Sequence, residues 1–477
     1  MKSDEHGAAA PAESWWPTVV CASLAGGMGW GIRGQYGHET GAMIAGMLVC
    51  LVIAVTLCRN AGPLAVARAV ALGTIAMGFG GTETYGQTVG LTHDPELVGN
   101  WAALRWGMLG LGIKGAVWIG FCGVFLGMGL GGTRYRGTEL LAVMIGGVLA
   151  YFAGVWLLNL PYDLENRRLP AIYFSATWDL FPNKPNLEPR FEAWGGLWFA
   201  LVFVIAYAGA LRRDGLAWRM GLWGILGGAI GFPLGQCIQA YHSWERAAFT
   251  GEFWGMLNYW NFMETTFGLT MGAMLGLGAW VHRARISPVE YEREEYMSGP
   301  IEWALMFAHG ALLVLSEFWI PFPIIGVVYD LGLVMGIVPM FAIAGGRWWP
   351  YFAIFPVTLL PIAGKTVREL VYDNHAIAPA PGWTVYFLLP MTIATAAAVW
   401  FYAKRNATGT ARAFAGYALL IGAWTYFTLN FAFFRFPWPW QTWTARTPNA
   451  IVFAACLAVL TCLGIAAVRS GPPSKRA

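Results

Sequence analysis

The sequence predicts an all-helical, polytopic membrane protein, and three observations support this prediction. Only 12% of the 477 residues are charged, about half the share of a typical soluble domain, whereas 57% are hydrophobic. The mean hydropathy is +0.52. The chain also contains 26 Trp and 61 Gly; Trp concentrates at membrane interfaces, and Gly allows membrane helices to approach closely. Most of the chain is therefore expected to contact lipid or other apolar helices.

Apolar runs of about 18 to 25 residues, the length that crosses a bilayer, predict the individual spans. Fourteen such runs occur in the sequence. The third, fourth and seventh runs are long and rich in Gly, so a count of twelve or thirteen is the alternative. The predicted spans are 16–34, 41–58, 64–90, 101–129, 138–160, 194–211, 217–240, 259–281, 301–320, 323–344, 348–370, 383–403, 411–433 and 448–468.

The most charged loop, at 282–300, separates eight predicted spans from six and marks the predicted boundary between two membrane parts. The first part is dense in Gly, whereas the second is richer in Pro and aromatic residues. The predicted organisation is an N-terminal tail (1–15), an eight-helix Gly-rich part (16–281), the charged loop (282–300), a six-helix part (301–468) and a C-terminal tail (469–477).

The distribution of Lys and Arg predicts the orientation. Of the 30 basic residues, 18 lie on one side of the predicted membrane, in the N-terminal tail and in or near the loops that follow even-numbered spans. Eleven lie on the opposite side, and Lys114 lies in mid-span. Because cytoplasmic loops carry the excess of basic residues, both termini are predicted to be cytoplasmic, with the protein in the inner (plasma) membrane. The polar loop 161–192 and the Trp-rich loop 436–443 are then extracytoplasmic. The polar, partly acidic start of the chain predicts no cleaved signal peptide.

Several function classes are not supported by the sequence. The net charge of +4 is small and scattered, which argues against a nucleic-acid partner. The seven Cys lie in or beside apolar runs without a C-x-x-C pair, so neither disulfides nor a zinc site is expected. The stretch Gly29–Gly34 fits G-x-G-x-x-G, but no strand precedes it as a dinucleotide site requires. No cofactor and no metal site are predicted.

The Gly-rich stretch 26–46 carries the first candidate site residues, because it places Arg33, Gln35, His38 and Glu39 between the first two spans. Ionisable groups at membrane depth are costly and tend to mark a substrate or ion path. In one interpretation the turn lies inside the membrane and lines a cavity. In the other it is a surface turn in which Arg33 meets lipid phosphates and Glu39 caps the second helix.

Further ionisable residues lie within other predicted spans. From the rise per residue of an α-helix, Lys114 is roughly 20 Å from one end of its span. A buried ammonium requires a partner, and Glu83 is the nearest candidate in sequence. Glu264 lies six positions into its span. His309 lies in mid-span, either as a packed hydrogen-bonding residue or as a proton relay, with Asp330 as its expected partner.

A short element, Gly-Gln followed by His, occurs three times in the first part. The spacing from Gln to His is identical in the last two copies. We predict that 16–58, 64–129 and 217–281 form equivalent helical hairpins, the repeat architecture of many transporters. Chance matches in Gly-rich sequence are the alternative. The copies are Gly34–Gln35 with His38, Gly86–Gln87 with His93, and Gly235–Gln236 with His242.

The preferred functional hypothesis is a secondary transporter that moves a small polar solute and is coupled to protons or a cation, since no ATP-binding module is evident. Rival hypotheses are a membrane-embedded transferase with His38 as base, acting on a lipid-linked or acyl substrate, and a non-catalytic membrane subunit. The partners expected are the lipid bilayer and the solute. The proposed roles are coupling for Glu39, Glu83 and Glu264, solute hydrogen bonding for Gln35, Gln87 and Gln236, and charge pairing for Arg33 and Lys114, with His38, His242 and His309 as further site candidates.

Overall fold

The protein is all-helical, which confirms the predicted fold class. A computed structural model describes residues 14–34, 36–58, 61–184, 186–291, 296–318, 336–405, 411–433 and 446–469. Helices make up 78% of the structure. Within the described ranges there is no β-strand, apart from an isolated bridge between Asp163 and Arg168.

Fifteen helices are numbered here in chain order, with single-turn elements between some of them. The short elements are Gly80–Thr82, Pro95–Leu97, Arg246–Phe249, Glu252–Gly255 and Arg283–Arg285. The helices are α1 Trp16–Arg33, α2 Thr40–Leu57, α3 Pro63–Phe79, α4 Gly86–His93, α5 Trp101–Leu130, α6 Gly137–Leu158, α7 Trp194–Leu211, α8 Ala217–Trp244, α9 Tyr259–Val281, α10 Gly299–Phe318, α11 Val338–Gly345, α12 Trp349–Asp373, α13 Pro379–Ala403, α14 Ala411–Phe433 and α15 Thr447–Arg469.

Ten of the helices in the described part of the chain are long and apolar enough to cross a membrane: α2, α3, α5, α6, α7, α8, α10, α12, α13 and α15. Helices α1, α9 and α14 coincide with the predicted spans 16–34, 259–281 and 411–433. Two of these less apolar helices carry buried charge, Arg33 on α1 and Glu264 on α9. The predicted span 323–344 falls mostly outside the described residues, so the count of fourteen stays a prediction.

Helices α1, α9, α8 and α5 pack side by side through glycine, each antiparallel to the next. A Cβ atom added to Gly228 of α8 would overlap the backbone of Gly115 in α5. The same overlap would occur between Gly268 of α9 and Gly26 of α1. Because lipid gives little hydrophobic drive for helix association, such close van der Waals contact is what holds membrane helices together. The high Gly content thus has a structural role along this row of helices.

Helix α2 lies at the centre of the molecule. Every residue from Thr40 to Val55 is buried, as expected for a helix that is hydrophobic on all sides. Helix α14 packs against α2, and α15 packs against α1. The helices of the second predicted part therefore contact those of the first directly. The division into parts at 282–300 remains a prediction.

The two ends of the helix bundle are defined by loop contacts. At one end, named here the loop end, segment 161–192 packs on α4 and α5: the Gln87 side-chain amide donates to the Glu188 carbonyl at 2.8 Å, and Trp106 Nε1 donates to the Tyr173 carbonyl at 2.7 Å. At the opposite end, the Tyr291 hydroxyl donates to the Tyr135 carbonyl at 2.7 Å.

A tyrosine fixes loop 161–192 onto itself at the loop end. Burial, together with the nearby Glu192 carboxylate, raises the pKa of the Tyr173 hydroxyl above its ordinary value. Tyr173 therefore keeps its proton at neutral pH, and its hydroxyl donates to the Arg190 carbonyl at 2.7 Å. This bond holds the last residues of the loop in place above the helices.

Candidate functional site

A buried ion pair joins the end of α1 to α9. Arg33 is the last residue of α1, and its Nη2 lies 3.1 Å from Glu264 Oε1, with the two side chains 1% and 2% exposed. Nη2 also donates to the Tyr85 hydroxyl. The surface-turn interpretation, in which Arg33 meets lipid phosphates, is wrong because its guanidinium lies inside the protein.

Aromatic rings surround the Arg33 guanidinium. Its Cζ atom lies 4.8 Å from the ring centroid of Trp30, 5.2 Å from that of Trp118 and 5.5 Å from that of Tyr85. Trp30 and Trp118 in turn contact each other at 4.9 Å between centroids. The negative faces of aromatic rings attract a cation, most strongly where water is excluded. The rings therefore compensate part of the cost of burying this charge.

Only one of the two oxygens of the Glu264 carboxylate accepts hydrogen bonds from the described residues. Its Oε1 atom accepts from Arg33, from the Tyr85 hydroxyl at 3.4 Å and from Trp260 Nε1 at 3.2 Å. Its Oε2 atom and the Nε atom of Arg33 are buried and have no hydrogen-bond partner among the residues that the structure describes. A buried polar atom without a partner costs on the order of 1–3 kcal/mol. The Arg33–Glu264 pair thus retains one donor and one acceptor with no partner.

His38 connects the buried pair to accessible space. The His38 side chain is exposed, yet its Nδ1 lies 3.3 Å from Arg33 Nη1 and its ring lies 5.0 Å from that of Tyr85. A guanidinium can only donate, so Nδ1 is the acceptor, and a neutral His38 then carries its proton on Nε2. His38 therefore has an N–H donor on Nε2, the ring nitrogen that does not face Arg33.

Glu39 lies immediately before α2 but makes no capping hydrogen bond to that helix, so the capping interpretation is wrong. The residue is half-buried. It interacts electrostatically with Arg33 and with Lys365 of α12. Glu39 therefore lies within electrostatic range of Arg33, and its assignment to the site stays a prediction.

A second buried charge cluster surrounds Lys114, in the middle of α5. Its Nζ lies 3.0 Å from Glu83 Oε1, the partner expected from sequence, and 2.7 Å from Glu192 Oε1. It also donates to the Thr84 carbonyl at 2.6 Å and to Thr88 Oγ1 at 2.8 Å. All three protons of the ammonium thus have acceptors within the protein.

The carboxylates of this second cluster are also held by backbone. Glu83 Oε2 accepts from the Ala193 N–H at 2.8 Å, and Glu192 Oε2 accepts from the Phe174 N–H at 2.9 Å. Ser175 donates to Glu192 Oε1 at 2.7 Å. The cluster therefore anchors the middle and the C-terminal end of loop 161–192 to α5.

The remaining site candidates lie apart from Arg33. Gln87 opens α4 and bonds to loop 161–192, whereas Gln236 lies inside α8 and donates to Thr92 Oγ1 at 2.7 Å. The prediction that these glutamines occupy equivalent places is wrong, since one begins a helix and the other is inside one. Gln35 and Asp330 lie outside the described residues.

The two histidines proposed outside the first turn are also separate from it. His242 stacks on Tyr259, with 3.6 Å between ring centroids. His309 on α10 is buried, and its ring is 5.9 Å from that of Trp349. Its Nδ1 has no hydrogen-bond partner within the described part of the chain. Neither residue shares a contact with Arg33 or Lys114 in the described structure.

Sequence reasoning missed several residues of the two clusters. Tyr85, Trp118 and Trp260 contact Arg33 or Glu264, and Glu192 is the second carboxylate on Lys114. Buried Tyr and Trp side chains usually have a hydrogen-bond partner for their polar atoms, and this tendency could have indicated them as partners of the buried charges. Glu192 carried no signal, because it ends a loop with many polar residues.

The fold and these buried charges define the protein as a helical membrane protein with multiple spans. Its described residues contain no group of three or more His, Cys, Asp or Glu side chains that could hold a metal ion. The chain matches no protein-family model and no curated protein.

One solved structure similar to the chain is the crystal structure of a manganese transporter from Eremococcus coleocola in complex with an aromatic bis-isothiourea substituted compound. Sequence identity is 12%, the match covers 98% of this chain and 89% of that chain, and the TM-score is 0.17. At this TM-score nothing about substrate or mechanism transfers to the present chain.

Proposed function

We propose that this protein is a secondary transporter of a small polar solute, driven by an ion gradient across the inner membrane. The observation that carries the proposal is the Arg33–Glu264 pair, which is buried but incompletely satisfied and reaches accessible space through His38. Ionisable groups held inside a membrane bundle tend to belong to substrate or ion paths.

The contrast with Lys114 supports this assignment. The Lys114 cluster has its donors paired and serves to fix a loop. The Arg33 cluster instead keeps the Nε–H of its cation without a hydrogen-bond partner among the described residues, and Glu264 Oε2 likewise has none there. In the Lys114 cluster, Glu83 Oε1 also lacks a hydrogen bond, but it lies 3.0 Å from Lys114 Nζ. A solute or an ion that supplied these partners would recover the free energy of burying them.

Glu264 is the proposed coupling group, because a proton or cation on its carboxylate would weaken its hold on Arg33. Glu39, which interacts with the same Arg33, is the second proposed coupling group. Glu83, predicted from sequence as a third, is instead assigned to the structural Lys114 cluster.

The transferase hypothesis, with His38 as general base, receives less support from the geometry. A base needs a free nitrogen lone pair within reach of the proton it removes. The Nδ1 lone pair of His38 is directed at Arg33, and Nε2 carries the proton of the neutral ring.

Reconstitution into proteoliposomes tests the transport function. With candidate polar solutes and an imposed gradient, we expect uphill accumulation that an ionophore abolishes. Glu264→Gln should abolish uphill accumulation but retain solute exchange, because the substitution keeps the shape of the side chain and removes its charge. The matched control Glu96→Gln changes an exposed glutamate and should leave uptake unchanged.

Two outcomes contradict the proposal. Turnover of a substrate in detergent without any gradient would support the transferase hypothesis. Full accumulation by a stable Glu264→Gln variant would remove the Arg33–Glu264 pair from the coupling mechanism.

A further inference from the structure

Basic side chains from several elements converge on His38. Arg33 Nη1 lies 3.3 Å from His38 Nδ1. Arg190 Nη1 lies 3.4 Å from the position of a Cβ added to Gly86, beside Tyr85, and α12, which carries Lys365, packs against α2, which begins just after His38. All three cations are within electrostatic range of the His38 ring. Arg446, just before α15, interacts with the neighbouring Glu264. The accessible edge of the site is therefore approached by cations that lie far apart in the sequence.

The pairing of these cations is unequal. Arg33 is paired with Glu264, and Arg368, which lies one turn after Lys365, is paired with Glu317 at 3.1 Å. Lys365 and Arg190 make no side-chain hydrogen bond or ion pair with any described residue.

Carboxylates also surround the site, so the balance of charge matters. Glu39, Glu317 and Glu369 interact electrostatically with Lys365 without forming an ion pair with it. The groups near His38, Glu264 and Lys365 in the described part of the chain include both cations and carboxylates. The cations are Arg33, Arg190, Lys365, Arg368 and Arg446, and the carboxylates are Glu39, Glu264, Glu317 and Glu369.

We propose that the transported solute is a small anion whose carboxylate or phosphate group binds beside His38, between Lys365 and Arg190; this inference rests on the transport function proposed above. Arg and Lys are the side chains that bind these oxyanions, and charge-assisted hydrogen bonds to them are stronger than neutral ones. Lys365 and Arg190 have no ion-pair partner among the described residues, and the Nε of the buried Arg33, which has no hydrogen-bond partner there either, provides a further donor.

Ligand-induced thermal stabilisation tests the anion site directly. The full chain in neutral detergent is titrated with inorganic phosphate, with succinate, with neutral glycerol and with cationic choline, all at equal ionic strength. We expect a saturable increase in Tm with phosphate or succinate only. Lys365→Gln should weaken the apparent affinity about tenfold or more, the loss expected for one charge-assisted contact. The matched control Lys184→Gln removes a lysine that is paired with Asp94 and Glu96 and should have no effect.

Each other outcome contradicts the anion site. These outcomes are stabilisation by glycerol or choline instead, no shift with either anion, and an anion effect that Lys365→Gln leaves unchanged. Stabilisation by phosphatidylglycerol but not by soluble anions would assign the oxyanion to a lipid headgroup and overturn the solute proposal.

The anion site and the transport function fail in different experiments. Anion binding without gradient-driven uptake would leave the site standing and contradict the transport function. Uphill uptake of a neutral solute would support the transport function and contradict the anion site.

Discussion

Arg33 and Lys114 are both 1% exposed cations inside the membrane bundle, but the protein treats them differently. Lys114 donates to fixed acceptors from three separate segments, including two carboxylates. Arg33 has one ionic partner, Glu264, and a ring of aromatic faces. A fully paired buried charge is suited to holding elements together, whereas a partly paired one is suited to changing partners. This difference is the physical basis for placing the site at Arg33.

Lys114→Met should destabilise the protein, because it leaves the carboxylates of Glu83 and Glu192 buried without their cation. Breaking a buried ion pair from one side costs about 3–5 kcal/mol. Thermal unfolding in detergent measures this cost, and proteolysis within loop 161–192 should become faster. Lys184→Met is the matched control, since that lysine also lies near two carboxylates but is 38% exposed, and should cost less than about 1 kcal/mol. Equal effects of the two substitutions would contradict a structural role for the Lys114 cluster.

The sequence alone identified the charged residues that are site candidates, but it did not distinguish a structural role from a role in the site. Intramembrane position marked Arg33, Lys114 and Glu264, and proximity in sequence suggested Glu83 as the partner of Lys114. The partners Glu192 and Tyr85 depend on how loops fold back onto the helices, which hydropathy does not encode.

At the scale of helices, glycine determines which helices pack together. The contacts of α5 with α8 and of α9 with α1 bring backbones so close that a methyl group would not fit at Gly228 or Gly268. Glu264 reaches Arg33 because this packing places α9 directly against α1. The same close approach extends to Gly34, where an added Cβ would overlap the Glu264 carboxylate. Helix packing thus controls the geometry of the site.

Gly228→Ala should separate α5 from α8 and cost about 1–3 kcal/mol, the usual penalty for overpacking. Gly310→Ala is the matched control, because no atom lies within 4 Å of a Cβ added there. In a helix, Ala is more favourable than Gly by up to about 1 kcal/mol, so the control should be neutral or slightly stabilising. Comparing the Tm values of the two variants checks this; a stabilised Gly228→Ala variant would show that the α5–α8 contact is looser than described.

Helix positions followed well from the sequence, because a run of apolar residues long enough to cross a bilayer is a strong local signal. The proposed equivalence of Gln87 and Gln236 failed because a dipeptide match in Gly-rich sequence does not report where a helix begins. The sequence also could not predict which helices pack against each other, since Gly is frequent in almost every predicted span of the first part.

At the scale of the whole molecule, the contacts divide the loops between two ends. Loop 161–192, α4 and the charged turn before α2 share the loop end, whereas Tyr135 and Tyr291 meet at the other. The orientation of these ends in the membrane comes from the basic residues and remains a prediction. If the loop end faces outward, His38 and Arg190 are first met by solutes from outside the cell.

Single-cysteine labelling in a cysteine-free background tests the orientation. With an impermeant thiol reagent, Lys184→Cys should be labelled in intact cells, because loop 161–192 is predicted to be extracytoplasmic. Ala284→Cys, an exposed position at the opposite end, should be labelled only after the cells are permeabilised. The reverse pattern would invert the predicted topology and place both termini outside.

The Lys114 cluster also sets an order of events during biosynthesis. Glu83 is made before Lys114, so α5 enters the membrane with one counterion already available. Glu192 lies 78 residues further along the chain, and at ribosomal rates it follows roughly 4–16 s later. During that interval Glu83 is the only one of the two carboxylates that has been synthesised. Completion of loop 161–192 therefore marks the moment when the Lys114 cluster can close.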